Sequence, residues 1–460
     1  MRRPAFWLAL AVLPVLAAAP AAGQADFTRY VAFGDSLTAG FYAGSLLNDV
    51  QANSYPALIN RQATDGAAGF EQPRVTHPGI PSVLELRSLS PLVIAPKGGQ
   101  GSPANLNLPR PYNNMAVPGA DVHDLVATTT DNGGLHDLIL RQQGFTQLQQ
   151  GLSLRPTFAT VWIGNNDVLG AAVSGRVIEG VTLTPVSSFE PEFRFAVGAI
   201  ATSGARLAIA TIPDVTAIPF VNTLSRFIVN PATSQPVLVN GQPVPLIGPD
   251  GLVGAGDFVL LSAAAELAQG RGIPAALGGS GLPLSDAAVL NAGEAATIRA
   301  RVEAFNSIIR SEAQQRGAAL LEVAPLLTQL RTTGFNFGGV TVSGAFLTGG
   351  FFSYDGVHPT DTGYAIVANA FIAAINERFD VDIPPVDLFP FLFGPPIGGG
   401  APVAPSDLSA GVGFTRAADA SLRFALGIPS DAEIDRLVAE RAQPAKPPRR
   451  HRRNRRGTGG

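Results

Sequence analysis

Beyond residue 25 the chain alternates short, almost wholly apolar runs with longer stretches in which apolar residues recur every three or four positions. That is the pattern of a parallel sheet covered by helices on both faces. Five runs predict buried strands: Arg29 to Asp35, Tyr112 to Gly119, Thr157 to Asn165, Arg206 to Asp214 and Ala318 to Pro325. Each ends in polar or turn-forming residues, and such sheets bind ligands at the carboxyl ends of their strands. The strongest helix lies within Leu290 to Arg316, where Ile298, Val302, Phe305, Ile308 and Ile309 fall on one stripe before Gly317. A second helix is expected from about Thr362 to Phe379, with Thr360 as its N-cap and Ala365, Ala368, Ile372 and Ile375 on one face.

Two loop-rich inserts interrupt this alternation, Ala63 to Arg110 and Val221 to Leu284. The second holds VLVNGQPVPLI, whose Asn240-Gly241 suits a type I′ hairpin turn. Loops of this length in a compact domain serve as lids or binding surfaces. The predicted organisation is one α/β domain over residues 26–380 carrying both inserts, a Pro-rich C-terminal extension over 381–446 with a short helix at Asp431 to Ala442, and an Arg-rich disordered tail over 447–460. Residues 1–25 have the form of a secretory signal peptide: Arg2-Arg3, then an apolar run broken by Pro14, then small residues suited to cleavage. The apolar run falls short of the roughly 20 residues that a spanning helix needs, so an exported protein, secreted or periplasmic, with no transmembrane segment after cleavage is expected.

Composition narrows the chemistry. Hydrophobic residues make up 46% of the 460 and charged residues 15%, which excludes a disordered polyelectrolyte. The chain has no cysteine, so disulfides, thiolate zinc sites, iron–sulfur clusters and a cysteine nucleophile are all excluded. Five histidines are too few and too scattered for an H-E-x-x-H zinc site. The net charge of −3 hides an acidic body, because Arg2, Arg3 and the six arginines of the last twelve residues offset it. An acidic fold disfavours nucleic acid as a partner. The basic tail leaves room for weak contact with an anionic envelope surface.

The candidate chemistry sits at the strand ends. Ser36 in Gly34-Asp35-Ser36-Leu37 follows the first strand, where an α/β sheet presents reactive groups. Asp355 and His358 stand three residues apart just before the last helix. A serine hydroxyl needs a base to take its proton, and an imidazole base needs a carboxylate to fix its tautomer. An oxyanion needs donors, and Gly119 and Asn166, at the ends of two further runs, supply a backbone N–H and an amide. Taken singly, each has a structural reading as well: turn former, helix cap or helix entry. His123 and His136 follow Gly119 and are expected at the surface, while Phe351, Phe352 and Tyr354 suit either an acyl pocket or the core.

In order and spacing, Gly34-Asp35-Ser36-Leu37, the strand-end Gly119, Gly164-Asn165-Asn166-Asp167 and Asp355-x-x-His358 resemble the four motif blocks of the SGNH subgroup of GDSL esterases and lipases over roughly Phe27 to Phe379. The resemblance implies a flavodoxin-like three-layer αβα sandwich with about five parallel strands in the order 2-1-3-4-5. It implies Ser36 as nucleophile, His358 as base, Asp355 as its orienting partner, and the Ser36 N–H, Gly119 and Asn166 as oxyanion donors. It also implies no metal or organic cofactor. Asp35 and Asp167 match motif positions and are expected to hold loops through side-chain to backbone bonds. The two inserts leave the substrate pocket uninherited, and the G-x-S-x-G elbow of the other serine-hydrolase fold is absent. The expected function is an exported carboxylic ester hydrolase acting through an acyl-enzyme on a small-molecule or lipid ester. Two alternatives stay open: a non-catalytic envelope or surface binding protein on the same fold, and a polysaccharide O-acetyl esterase. The apolar residues around Phe346 to Phe352 favour an acyl lipid.

Overall fold

The computed structural model describes residues 25–89, 92–130, 134–231, 233, 235–393 and 412–442. The expected leader, the Arg-rich tail and much of the Pro-rich extension lie outside the described residues. In chain order, the strands of the two larger sheets are β1 (Tyr30–Gly34), β2 (Leu84–Leu89), β3 (Leu92–Pro96), β4 (Phe158–Trp162), β5 (Arg206–Ala210), β6 (Ala319–Leu321) and β7 (Val412–Phe414). The helices that bear on the site are α1 (Ser36–Ala39), α2 (Tyr55–Thr64), α3 (Asn166–Ser174), α4 (Val186–Thr202), α5 (Ala292–Arg316), α6 (Asp361–Phe379), α7 (Arg416–Ala425) and α8 (Asp431–Ala442).

The central sheet is parallel, in the order β1-β4-β5-β6. β1 and β4 are buried at every position, as strands covered on both faces must be. Alternate residues serve opposite layers. On one face Trp162 packs against Tyr55 of α2 and Phe371 of α6, and Phe158 meets Phe379. On the other face Phe33 closes on Gly151, where a Cβ would lie 2.2 Å from the ring. α4 and α5 pack together nearby through Phe189 and Phe305, stacked at 3.8 Å. Both expected helices form with the caps that their sequences suggest. Asn291 and Glu294 make a capping box at the start of α5, Gly317 ends it in a left-handed conformation, and Thr360 caps α6 through Gly363 N.

One of the five expected strands differs. The run Tyr112 to Gly119 lies beside β1 on its free edge, which keeps the 2-1-3-4-5 order, but it contributes a single bridge, Asn114 to Ala32, and not a ladder. The reason is local. Asn113 N and Asn114 N donate to Glu71 O, and the Asn113 side chain donates to Tyr30 O in place of its own backbone N–H. The backbone bonds to β1 are therefore Ala32 N to Asn113 O, Met115 N to Ala32 O and Val117 N to Gly34 O. Pro118 then ends the run.

The inserts are more ordered than loop-rich sequence suggests. The first contains the β2-β3 hairpin. The second carries short hairpins around a small core of Ile228, Leu246, Val253 and Val259, which Val289 just beyond the insert completes, and Asn240 and Gly241 sit at φ 51° and 76°, as the expected type I′ turn requires. The extension also docks: β7 adds in parallel to β3, and α8 coincides with the helix expected at Asp431 to Ala442. Among the described residues no helix is long and apolar enough to cross a membrane.

Candidate active site

β1 delivers Ser36 to the carboxyl end of the sheet. Asp35 follows the strand in an extended conformation and caps α1 by accepting from Leu37 N at 3.0 Å, which makes Ser36 the first residue of that helix. Across the chain, Ser353 to His358 form a tight turn closed by Gly356 N to Ser353 O at 3.0 Å and Ser353 N to His358 O at 2.8 Å. Gly356 has φ 69°, and a Cβ there would lie 2.9 Å from Phe220 N, so the turn requires glycine.

These two loops bring the expected residues together. Ser36 Oγ lies 2.8 Å from His358 Nε2, and His358 Nδ1 lies 2.8 Å from Asp355 Oδ2. All three residues are buried, with Ser36 3% exposed and the other two closed to solvent. An ionised carboxylate only accepts, so Nδ1 carries the ring proton and Nε2 accepts from the Ser36 hydroxyl. Asp355 is held by four more donors: Gly44 N to Oδ2, and Val357 N, His358 N and Ser353 Oγ to Oδ1, at 2.8 to 3.1 Å. Burial alone would raise the Asp355 carboxyl, but the His358 ring and these N–H donors outweigh it and hold it below the ordinary range. Phe41 lies against the His358 ring at 4.9 Å between centroids.

The other strand ends are stitched to this corner. Asn165 Nδ2 donates to Asp35 Oδ2 at 2.7 Å, Val117 N donates to Gly34 O at 3.1 Å, and Asn166 Nδ2 donates to Ala120 O at 2.8 Å. Gly119, at φ 85°, and Asn166 both line one cavity of about 820 Å³. An Asn amide has two N–H donors, so Asn166 keeps one beyond its bond to Ala120. Asp35 and Asp167 do hold loops: Asp167 Oδ2 accepts from Val122 N at 3.0 Å. Burial raises Asp35 to about 6 and Asp167 well above the ordinary carboxylate value.

Other expectations divide. His123 is exposed and paired with Glu192 at 2.7 Å, but His136 is buried and lines the 820 Å³ cavity. Phe351 and Phe352 are core residues packed edge to face. Sequence reasoning missed Ser353 and the partnership of Asp35 with Asn165. A hydroxyl two residues before Asp355 was the only signal for the first. Among the described residues, no group of three or more His, Asp or Glu is placed to hold a metal ion.

The family model described as GDSL-like Lipase/Acylhydrolase matches residues 30–371. The chain belongs to that family. It is a carboxylic ester hydrolase with the family's parallel sheet flanked by helices. No curated protein matches the chain. Among solved structures, an α/β hydrolase from the metagenome of Lake Arreo, Spain, is similar at 15% identity over 77% of this chain and 96% of its own, with a TM-score of 0.34. An extracellular lipase from Streptomyces rimosus is similar at 15% identity over 76% and 98%, with a TM-score of 0.33. A catalytic mutant of an acetylxylan esterase from Geobacillus stearothermophilus is similar at 12% identity over 75% and 93%, with a TM-score of 0.34. In this GDSL chain the family match spans Ser36, Gly119, Asn166, Asp355 and His358 alike.

Proposed function

We propose that this chain is an exported serine ester hydrolase whose nucleophile is Ser36. The observation that carries the reading is the unbroken relay from Ser36 Oγ through His358 to Asp355, with both links at 2.8 Å. In the first half-reaction His358 Nε2 takes the Ser36 proton as Oγ attacks the ester carbonyl. The Ser36 and Gly119 N–H groups and the Asn166 amide hold the resulting oxyanion. Collapse of that intermediate expels the alcohol, which leaves with the proton from His358. In the second half-reaction His358 deprotonates a water that attacks the acyl-enzyme, and the proton returns to Ser36 as the carboxylate departs. Asp355 fixes the ring and balances the imidazolium charge without itself being protonated.

Export rests on the residue pattern of the first 25 positions. The hydrolase unit is assigned to residues 26–380, with the inserts and the extension shaping access to it. A binding protein without activity is the weaker reading, because binding alone gives no reason for a buried Ser-His-Asp relay. Ser36→Ala and His358→Ala, each assayed on p-nitrophenyl butyrate, are expected to lower kcat by about 10³-fold or more. A fluorophosphonate probe is expected to label Ser36 and no other residue. Wild-type turnover by Ser36→Ala, or no labelling of the intact protein, would overturn the assignment.

A further inference from the structure

The C-terminal segment docks against the corner that holds Gly119. β7 extends the β2-β3 hairpin, Phe414 is buried against Phe220, and Thr415 caps α7 through Ala418 N. Ala418, Leu422 and Ala425 pack inward with 1% exposure or less. The end of α7 then lies on Gly119 itself, where a Cβ would sit 2.9 Å from Ala425 O and 3.0 Å from Gly427 N. The 820 Å³ cavity is therefore lined by Gly119 and Asn166 together with residues of the C-terminal segment, Arg423 and Leu426 among them. Arg423 is neutralised by Asp419 at 3.1 Å and Asp431 at 2.7 Å, so its charge serves docking and not anion capture.

A second cavity of about 620 Å³ adjoins the first, and the two share Gly134, Leu135 and Phe424. Its lining is mainly apolar and comes from Ile80, Pro81, Leu106 and Leu138 as well as Phe424. The chamber beside Gly119 is by contrast edged with carboxylates, Asp121, Asp124 and Asp419 among them. Phe424 is a large aromatic left 56% exposed at the junction, where it adds nothing to the core.

We infer that α7 forms a wall of the ester cleft and that Phe424 determines acyl-chain preference, with the alcohol half in the polar chamber and a medium or long acyl chain running past Phe424 into the apolar one. The inference rests on Ser36 and Gly119 acting as proposed above. Methylenes gain nothing beside carboxylates, whereas each one buried against Leu106, Leu138 and Phe424 is worth roughly fourfold in kcat/KM.

The test uses the full chain with p-nitrophenyl acetate, butyrate and octanoate, and the variants Phe424→Asp and Leu106→Asp. Both positions are exposed and line the same cavity, so neither change disturbs the core. The octanoate to acetate ratio of kcat/KM is expected to fall at least about tenfold in each variant, with fluorophosphonate labelling of Ser36 retained. An unchanged ratio in both variants, with Ser36 still labelled, would overturn the role of Phe424 and leave the nucleophile standing. Failure of the wild type to label at Ser36 would instead remove the reading on which the inference rests.

Discussion

Asp35 Oδ2 accepts a 2.7 Å hydrogen bond from Asn165 Nδ2 across the carboxyl ends of β1 and β4, and both residues are buried. The bond ties the Ser36 loop to the Asn166 loop, so groups from two different strands share one frame. Asn165 Oδ1 is buried without a hydrogen-bond partner. Asp35→Ala would therefore leave the whole Asn165 amide unpaired in the interior, at a cost of about 1–3 kcal/mol, and would release the α1 cap as well. Asp35→Asn is expected to do far less harm, because Asn165 can rotate by half a turn and present Oδ1 to the new amide. Urea unfolding of the two variants checks the contrast, and equal destabilisation would contradict it.

A second expectation concerns pH. Burial raises Asp361 to about 7, against partial relief from Asn53, while its ordinary value is 3.8. Between those two values the native state keeps a proton that the unfolded chain has lost. Stability must therefore fall as pH rises from about 4 to about 7, by up to ~1.4 kcal/mol per pH unit, and level off above that. Asp35, raised to about 6, acts in the same direction over a narrower window. Asp355 is lowered and acts oppositely, with its stabilisation lost only as pH falls below its unfolded value. Asp361→Asn is expected to flatten the slope between pH 4.5 and 7, measured by thermal or urea unfolding. A variant whose slope matches the wild type would refute this.

Ser353 is a positioning residue. Its Oγ accepts from Ala43 N at 3.0 Å and donates to Asp355 Oδ1 at 3.1 Å, linking the loop after α1 to the carboxylate that orients His358. Ser353→Ala is expected to lower kcat about three- to tenfold with little change in KM, since the remaining donors still hold Asp355. Ser353→Thr should restore most of the loss. A purely structural role would lower Tm while leaving kcat of the folded fraction unchanged.

The strand and helix pattern was legible because burial imposes it residue by residue: apolar runs ending at Gly34 and Trp162, and the Ile298 to Ile309 stripe that closes on α4. The relay residues were legible because Ser36, Asp355 and His358 stand in short motifs whose spacing survives folding. What escaped was contact between distant short segments. β7 is three residues long and pairs with β3 more than 300 positions away, and three residues carry no readable period. The run Tyr112 to Gly119 looked like a full strand, because its loss of pairing depends on where Glu71 O, which takes the Asn113 and Asn114 N–H groups, lies in space.

Gly119 offers the sharpest test of the docked C-terminal segment. Its φ of 85° disfavours any side chain, and a Cβ there would meet backbone atoms of Ala425, Leu426 and Gly427 at 2.9 to 3.0 Å. Backbone cannot swing aside as a side-chain tip can, so Gly119→Ala must either distort the proposed oxyanion corner or lift the end of α7. Gly204 is the control, since it has φ 92° with nothing within 4 Å, and alanine there carries the left-handed strain of about 1–2 kcal/mol without the collision. Gly119→Ala is expected to lose at least about tenfold in kcat and to be cut faster by protease near Gly427 to Ser430, whereas Gly204→Ala should show only a lower Tm. If limited proteolysis gave the same fragments at the same rate for both variants, α7 would not be resting on Gly119 in solution, and the wall that it supplies to the cleft would have to be withdrawn.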